Sequence, residues 1–424
     1  MANQAPVVQP GSQFDIPGVP NATQWYDQYE DTQDLALTPG NTQKSVLNIQ
    51  DMRRTDVVFD WEYVWSFANV VTFDVTDVNR SAYFPYNIFG PVKMLIQNQY
   101  SCIDVENGID WYIFNLVRPY RKTAADRLTN NYANTAGSPV GTPNDGFLYA
   151  GDPQANLVAP AQFGSAAIAA NTTDNVNIVL DLPAGVWFDE YYALDVSGNF
   201  LAATADTFVS PQYMAGTQRL IRPSIKTNPL IAVGSGSDES PYNEAAAGTS
   251  TVASTGSLNI RRHGVYGNNV TASLPAPQPW QYQWLTQRFA IAGVSRQIIQ
   301  IPDDAGQVLF LYLRLWDPAA NGGLGAPIQT SALTKVSLLY GSGLTRFEGT
   351  PLEFQALWIA KHGVLLPPGV IGYDCGVDEL GTFSNKRALN TLNTAGIEWS
   401  LEFAAPTSNQ AYAVLGTESL VYVV

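Results

Sequence analysis

The chain has 424 residues, with 37 acidic against 22 basic side chains and a formal charge of −15. Apolar residues make up 46% and charged ones only 14%, which excludes intrinsic disorder, since that needs low hydrophobicity and high charge. Basic residues this sparse cannot neutralise a phosphate backbone, so no specific nucleic-acid partner is expected.

β-branched and aromatic residues gather in short runs separated by Gly, Pro, Asn and Asp, the pattern of an all-β sandwich or barrel. Val57 to Ala68 partly alternates, with Phe59, Trp61, Tyr63 and Trp65 on one face. Val70–Val78, Val92–Gln97, Val176–Leu182 and Arg219–Ile225 read as further strands. Two stretches read as helices. Asn107 to Lys122 carries Ile109, Tyr112, Ile113 and Leu116 at helical spacing until Pro119 interferes. The second half adds strands at Gln281–Ala292, Gln297–Ile301, Val308–Trp316, Lys335–Tyr340, Ile397–Phe403 and Ala411–Val424. Within it, Thr350 to His362 opens with Thr350 as N-cap and Pro351 at the first helical position. Glu353 completes a capping box, and Gly363 is placed to stop the helix.

The order of these elements repeats. Ser45–Asp51 aligns with Gln297–Asp303, and a nearly constant offset, one residue shorter, then sets Val58–Trp61 beside Leu309–Tyr312 and Trp65 beside Trp316. Pro91–Ile96 matches Thr334–Leu339 in character, and each is followed by a tryptophan-bearing helix, with Trp111 or Trp358. Asn171–Ile178 is set against Asn393–Ser400, and Trp280–Ala292 against Ala411–Val424 as closing strands. The expected division is an N-terminal arm at 1–43, one unit at 44–293 and a leaner one at 294–424. The first unit's excess is expected as an external, tower-like insertion around 183–275. That insertion includes the low-complexity stretch 234–257, read as an outside loop that cannot build a core. Eight-stranded units with a helix between strands fit jelly rolls better than immunoglobulin-like sandwiches, whose Cys-Trp-Cys signature is missing.

The chain resembles the double jelly-roll major capsid proteins of tailless, membrane-containing phages, the tectivirus group, and distantly adenovirus hexon. The residues carrying this are Lys44–Ile49 leading into the first aromatic strand and Phe89-Gly90-Pro91 before the next. The tryptophan-bearing helix after Asp104–Gly108 follows, then Asp181-Leu182-Pro183, Tyr191–Asp195 and Gln218–Pro223. In the second half Trp358 is followed by Pro367-Pro368-Gly369-Val370 and Tyr373-Asp374-Cys375. The resemblance implies a structural protein of the virion whose homotrimers form pseudo-hexagonal tiles in an icosahedral shell over an internal membrane. Its implied partners are further copies of itself, neighbouring trimers, and vertex or penton and minor capsid proteins. The polar, proline-punctuated start departs from the family's pattern: no basic residue precedes Lys44, so lipid contact by this arm is not expected.

The residues supply no active site. No nucleophile motif, phosphate-binding loop or metal-binding helix motif is present, so no catalytic residue, cofactor or metal is expected. The adjacent acids Asp189-Glu190, Asp238-Glu239 and Asp303-Asp304 do not supply the spatially separated pair that glycosidases use. Calcium would want several regularly spaced oxygen ligands, and no EF-hand-like loop appears. Cys102 and Cys375 read as two buried thiols, with pairing left open. His263 and His362 are the only histidines. Arg261-Arg262-His263 is a small basic cluster, read as solvated, paired within the chain, or steering an acidic partner. Arg118, Arg121, Lys122 and Arg127 suit the negative end of the first helix. No apolar run is long enough to span a membrane, and the first residues lack the basic and apolar regions of a secretory signal. Two readings compete with a shell protein. Aromatic richness and abundant amides would also suit a two-domain β-sandwich protein that binds or cleaves carbohydrate; a virion spike or vertex protein is the other. The net negative charge is expected mostly on exposed loops.

Overall fold

Sixteen residues rich in β-branched and aromatic side chains, Val57–Thr72, form one strand. Two strands were expected here, Val57–Ala68 and Val70–Val78. The run continues through Asn69 because its backbone is paired on both sides, to Thr251–Tyr266 and to Thr172–Pro183. The computed structural model describes residues 24–37, 43–46, 57–72, 78–84, 86–96, 100–117, 147–149, 167–168, 172–183, 186–187, 208–209, 221–227, 231–233, 236–244, 251–266, 280–303, 305–341, 344–362, 366–375, 389–391 and 396–422.

The strands pair in the same way twice. In the first half Gln24–Leu37, Thr251–Tyr266, Val57–Thr72 and Thr172–Pro183 lie side by side, all antiparallel. Gln43–Val46, Ile221–Thr227, Phe89–Ile96 and Tyr100–Val105 form a second antiparallel series. In the second half the first series is Trp280–Ala290, Tyr412–Tyr422, Gln307–Asp317 and Val370–Asp374. Its counterpart is Arg296–Gln300, Glu398–Phe403, Leu333–Tyr340 and Leu344–Gly349. Short accessory strands aside, each half has strands ordered first-eighth-third-sixth in one sheet and second-seventh-fourth-fifth in the other. That is the jelly roll, and the fold is two jelly rolls in tandem. A helix follows the fifth strand each time: α1 (Gly108–Val117) and α2 (Pro351–His362).

This topology supports the equivalences drawn for the second, third and fourth strands and for the helices, and corrects three other expectations. Gln24–Leu37 is the outer strand of a sheet, not part of a free arm. Trp280–Ala290 is the first strand of the second unit, not the last of the first; the counterpart of Tyr412–Tyr422 is Thr251–Tyr266. Thr172–Pro183 corresponds to Val370–Asp374, and Glu398–Phe403 to Ile221–Thr227. First and eighth strands lie side by side and share one environment, so their compositions converge and do not distinguish a neighbour from an equivalent.

The expected outside loop is also corrected. Thr251–Tyr266 is flanked by two other strands, and within 236–244 Asp238, Ser240 and Tyr242 are buried. Small residues are needed there because backbones meet: a Cβ on Gly236 (φ +64°) would fall 2.3 Å from the Pro318 carbonyl oxygen.

The core of the second unit lies between its two sheets. Leu311, Leu313 and Leu315 pack with Val336, Leu338, Trp399, Leu401, Ala413 and Leu415. The residues alternating with them, Phe310, Tyr312, Arg314 and Trp316, are equally buried. They face the first unit. The ladder also joins the units directly, since Trp280–Ala290 runs parallel to Tyr100–Val105, with Trp284 opposite Ile103 and Leu285 opposite Asp104. No helix among the described residues is long and apolar enough to cross a membrane.

Helix α2 begins as its sequence predicts. The Thr350 N–H donates to Glu353 Oε2 (2.6 Å) and the Glu353 N–H to Thr350 Oγ1 (3.4 Å), closing the capping box. Replacing Thr350 by Ala is expected to cost about 1 kcal/mol, read as a lower urea midpoint with an unchanged slope.

Candidate functional site

A buried set of charged groups lies where α1 and 236–244 cover the outer face of Gln307–Asp317. Asn107 begins it. Its Oδ1 accepts the Ile109 N–H (3.2 Å), capping α1, while its amide donates to the Asp238 carbonyl (3.1 Å) and so fastens the loop to the helix. The Asn87 amide reaches the carbonyls of Asp238 (3.2 Å) and Ser240 (2.9 Å) and the Ser81 hydroxyl (2.6 Å). The stretch before the short strand Tyr242–Glu244 is therefore shaped by side-chain amides, while that strand itself pairs with Val78–Arg80 and Ile231–Val233.

These anchors present two carboxylates to Arg314. Its Nε and Nη2 donate to Asp110 Oδ1 (2.9 Å) and Oδ2 (3.0 Å), a bidentate fork, and Nη1 donates to Asp238 Oδ2 (2.5 Å). Arg314 and Asp110 are fully buried. Asp110 is in the first turn of α1, where the helix dipole favours an acid. The Tyr312 hydroxyl donates to Asp110 Oδ1 (2.9 Å), and the guanidinium lies 5.3 Å from the Tyr83 ring centre. Gly416 makes the Tyr312 position available, since a Cβ there would fall 2.1 Å from the ring. Trp316 Nε1 donates to the Gly236 carbonyl (2.8 Å), and the Tyr83 hydroxyl to that of Pro368 (3.2 Å).

Arg288 forms the outer edge of the cluster. It pairs with Glu106, lies 3.6 Å from Asp238 and stacks 4.1 Å from the Tyr412 ring centre. Phe114 of α1 stacks on Trp284 at 4.8 Å, and Trp284 Nε1 donates to buried Glu418 (3.3 Å).

Burial alone would push the Asp238 carboxyl up, but Arg314, Arg288 and Tyr412 together hold it below the ordinary range. Burial dominates at Glu106 and raises it despite Arg288. Burial and the neighbouring carboxylates raise the Tyr312 and Tyr412 hydroxyls, which stay protonated donors. Arg314 resists the desolvation that would discharge it because Asp110 and Asp238 favour its charged form. The result is a polar clasp in which the Arg314 guanidinium is paired with two buried carboxylates.

Its buried charges are paired with one another. No group of three or more His, Cys, Asp or Glu side chains suited to a metal occurs among the described residues. Cys375 is buried, and the side chain of Cys102 lies outside the described residues. Asp189-Glu190, Asp304 and the cations Arg118, Arg121, Lys122 and Arg127 also fall outside them, while Asp303 is exposed in a turn. Arg261-Arg262-His263 is in a strand, not a loop: Asp27 and Asp60 occupy the register positions opposite His263, and Glu62 that opposite Arg261. Asp238 was read as a loop residue and is central. Four acids among the described residues, Asp110, Asp238, Asp374 and Glu418, are buried. Sequence reasoning missed Arg314, although a lone cation inside Val308–Trp316 was a readable signal: an apolar run buried on both faces must supply its charge with a partner.

No protein-family model matches the chain, and no curated protein matches it by sequence. Its fold is similar to solved structures. The structure of Sulfolobus turreted icosahedral virus (STIV) matches with a TM-score of 0.55 and 11% identity, covering 94% of this chain and 91% of that one. The crystal structure of the STIV MCP gives 0.53 and 13%, covering 94% and 97%. PBCV-1 VP54, fitted into a reconstruction of the virophage Sputnik, gives 0.50 and 13%, covering 93% and 94%. At such identities the likeness is one of fold, and it extends over both units.

Replacing Arg314 by Met strands two buried carboxylates and is expected to cost roughly 3–5 kcal/mol, measured by urea unfolding. Adding Asp110→Asn and Asp238→Asn should recover part of that loss. With its carboxyl held low, Asp238 contributes stability that is full above the ordinary Asp value of about 3.9 and disappears as pH falls through its lower folded value. Glu106, held high, acts with the opposite sign. An acid titration of the melting midpoint should therefore flatten below pH ~4 in Asp238→Asn relative to the parent.

Proposed function

We propose that this chain is a major capsid protein that builds the shell of an icosahedral virus. The observation that carries the reading is the tandem pair of jelly rolls, matched in fold across 94% of the chain by the STIV MCP. The units that go with it span 24–266 and 280–422, each from its first strand to its eighth. On this reading the protein acts by assembly, in the virion, and no reaction is assigned to it. Three copies would present six similar lobes, which suits a pseudo-hexagonal tile, with neighbouring trimers, vertex and minor capsid proteins as further partners and an internal membrane below the shell.

No described side chain favours the carbohydrate reading. Among the described residues the large exposed apolar side chains are Ile298, Leu344 and Leu352, none of them an aromatic platform for a sugar ring. Among the described side chains, Trp111, Trp284, Trp316, Trp358 and Trp399 are buried, in the second unit's core or at the junction. Negative-stain images of assembled protein are expected to show hexagonal tiles with three-fold modulation; purified protein that stays monomeric at micromolar concentration would overturn the reading.

A further inference from the structure

One joint is completed inside the chain, and its two halves recur, uncoupled, elsewhere in the chain. In the first unit the fifth strand does not end its sheet, because Trp280–Ala290 of the second unit runs parallel beside it. The Glu106 N–H donates to the Thr286 hydroxyl (2.8 Å), and Arg288 pairs with Glu106. Helix α1 is enclosed as a result: Ile109, Asp110 and Ile113 are all 0% exposed.

In the second unit the equivalent fifth strand, Leu344–Gly349, ends its sheet among the described residues. Aligned on their N-caps, Asn107 and Thr350, the helices set Leu352, Glu353 and Ala356 where α1 has Ile109, Asp110 and Ile113, and all three are exposed. Leu344 and Leu352 are each 72% exposed. The complementary half is also open. Gln24–Leu37, the first strand of the first unit, ends its own sheet among the described residues and pairs there on one side, with Thr251–Tyr266.

Resting on the shell-protein reading, we infer that Gln24–Leu37 of a second copy of this chain docks parallel to Leu344–Gly349, repeating between chains the joint that Trp280–Ala290 makes within one. Strand addition satisfies the edge N–H and C=O groups and covers Leu344 and Leu352. Such a contact is heterologous, so it propagates head to tail and ends only by closing a ring. Gln24–Leu37 carries Asp27, Glu30, Asp31 and Asp34 and no cation, whereas Trp280–Ala290 carries Arg288. The socket inside the chain presents Glu106 to Arg288, whereas the open one presents exposed Arg346 with Glu348 and Glu353 exposed beside it. An acidic strand is therefore repelled by the occupied socket and finds its cation in Arg346 at the open one. Because the docking strand belongs to a first unit and the receiving edge to a second, the two kinds of unit alternate around the ring.

The test uses the full chain. Mass photometry of the parent is expected to give trimers, and Leu344→Glu with Leu352→Glu, both at exposed positions, should weaken association at least tenfold with an unchanged melting midpoint. A photo-crosslinking benzoylphenylalanine in place of Thr345 should give crosslinked chain pairs whose joined peptide comes from 24–37. A parent that never associates sinks the shell-protein reading itself. A trimeric parent with an equally trimeric double variant, or crosslinks that map outside 24–37, overturns only the docking.

Discussion

A guanidinium held by two carboxylates, away from water, is the interaction on which the arrangement of the two units depends. Arg314 comes from one jelly roll and Asp110 and Asp238 from the other, so the charges are balanced only when the units are together. Buried ion pairs of this kind contribute little net stability compared with apolar packing, but separating their members is costly. The clasp therefore acts on geometry: it allows one docking of the units and penalises others.

That requirement extends into the backbone. Gln307–Asp317 must be buried on both faces, with leucines toward its own core and Tyr312, Arg314 and Trp316 toward the neighbour. Tyr312 can lie across the sheet only because residue 416 has no side chain. Trp316 meets a Gly236 carbonyl that comes close because the loop has small residues there. Each glycine is thus tied to an aromatic contact, and the low-complexity appearance of 234–257 is partly the result of close packing.

Much of this was legible in sequence where the cause is local. Period-two runs gave the strands, and Thr350, Pro351 and Glu353 gave the start of α2, since capping involves residues three apart. The repeat was legible through the third and fourth strands, whose aromatic or apolar character is distinctive. What could not be read depends on pairing across the chain. Nothing local separates Trp280–Ala290 from Tyr412–Tyr422, because adjacent strands bury similar surfaces. Asp238 was misread for a related reason: its neighbours Gly236, Ser237 and Ser240 look solvated, and only the amides of Asn87 and Asn107 show that the loop is held inside.

The clasp also bears on the order in which the protein is made. Synthesis runs from the N-terminus, so Asp110 and Asp238 leave the ribosome before their cation, which lies 76 residues beyond Asp238 and 204 beyond Asp110. Until then α1 has two neighbouring acids and an uncovered apolar face. The first jelly roll cannot settle its inner charges on its own, and domain-by-domain maturation gives way to a joint final step. Completion of the second unit then licenses the first, so a truncated chain lacks the means to present a finished half.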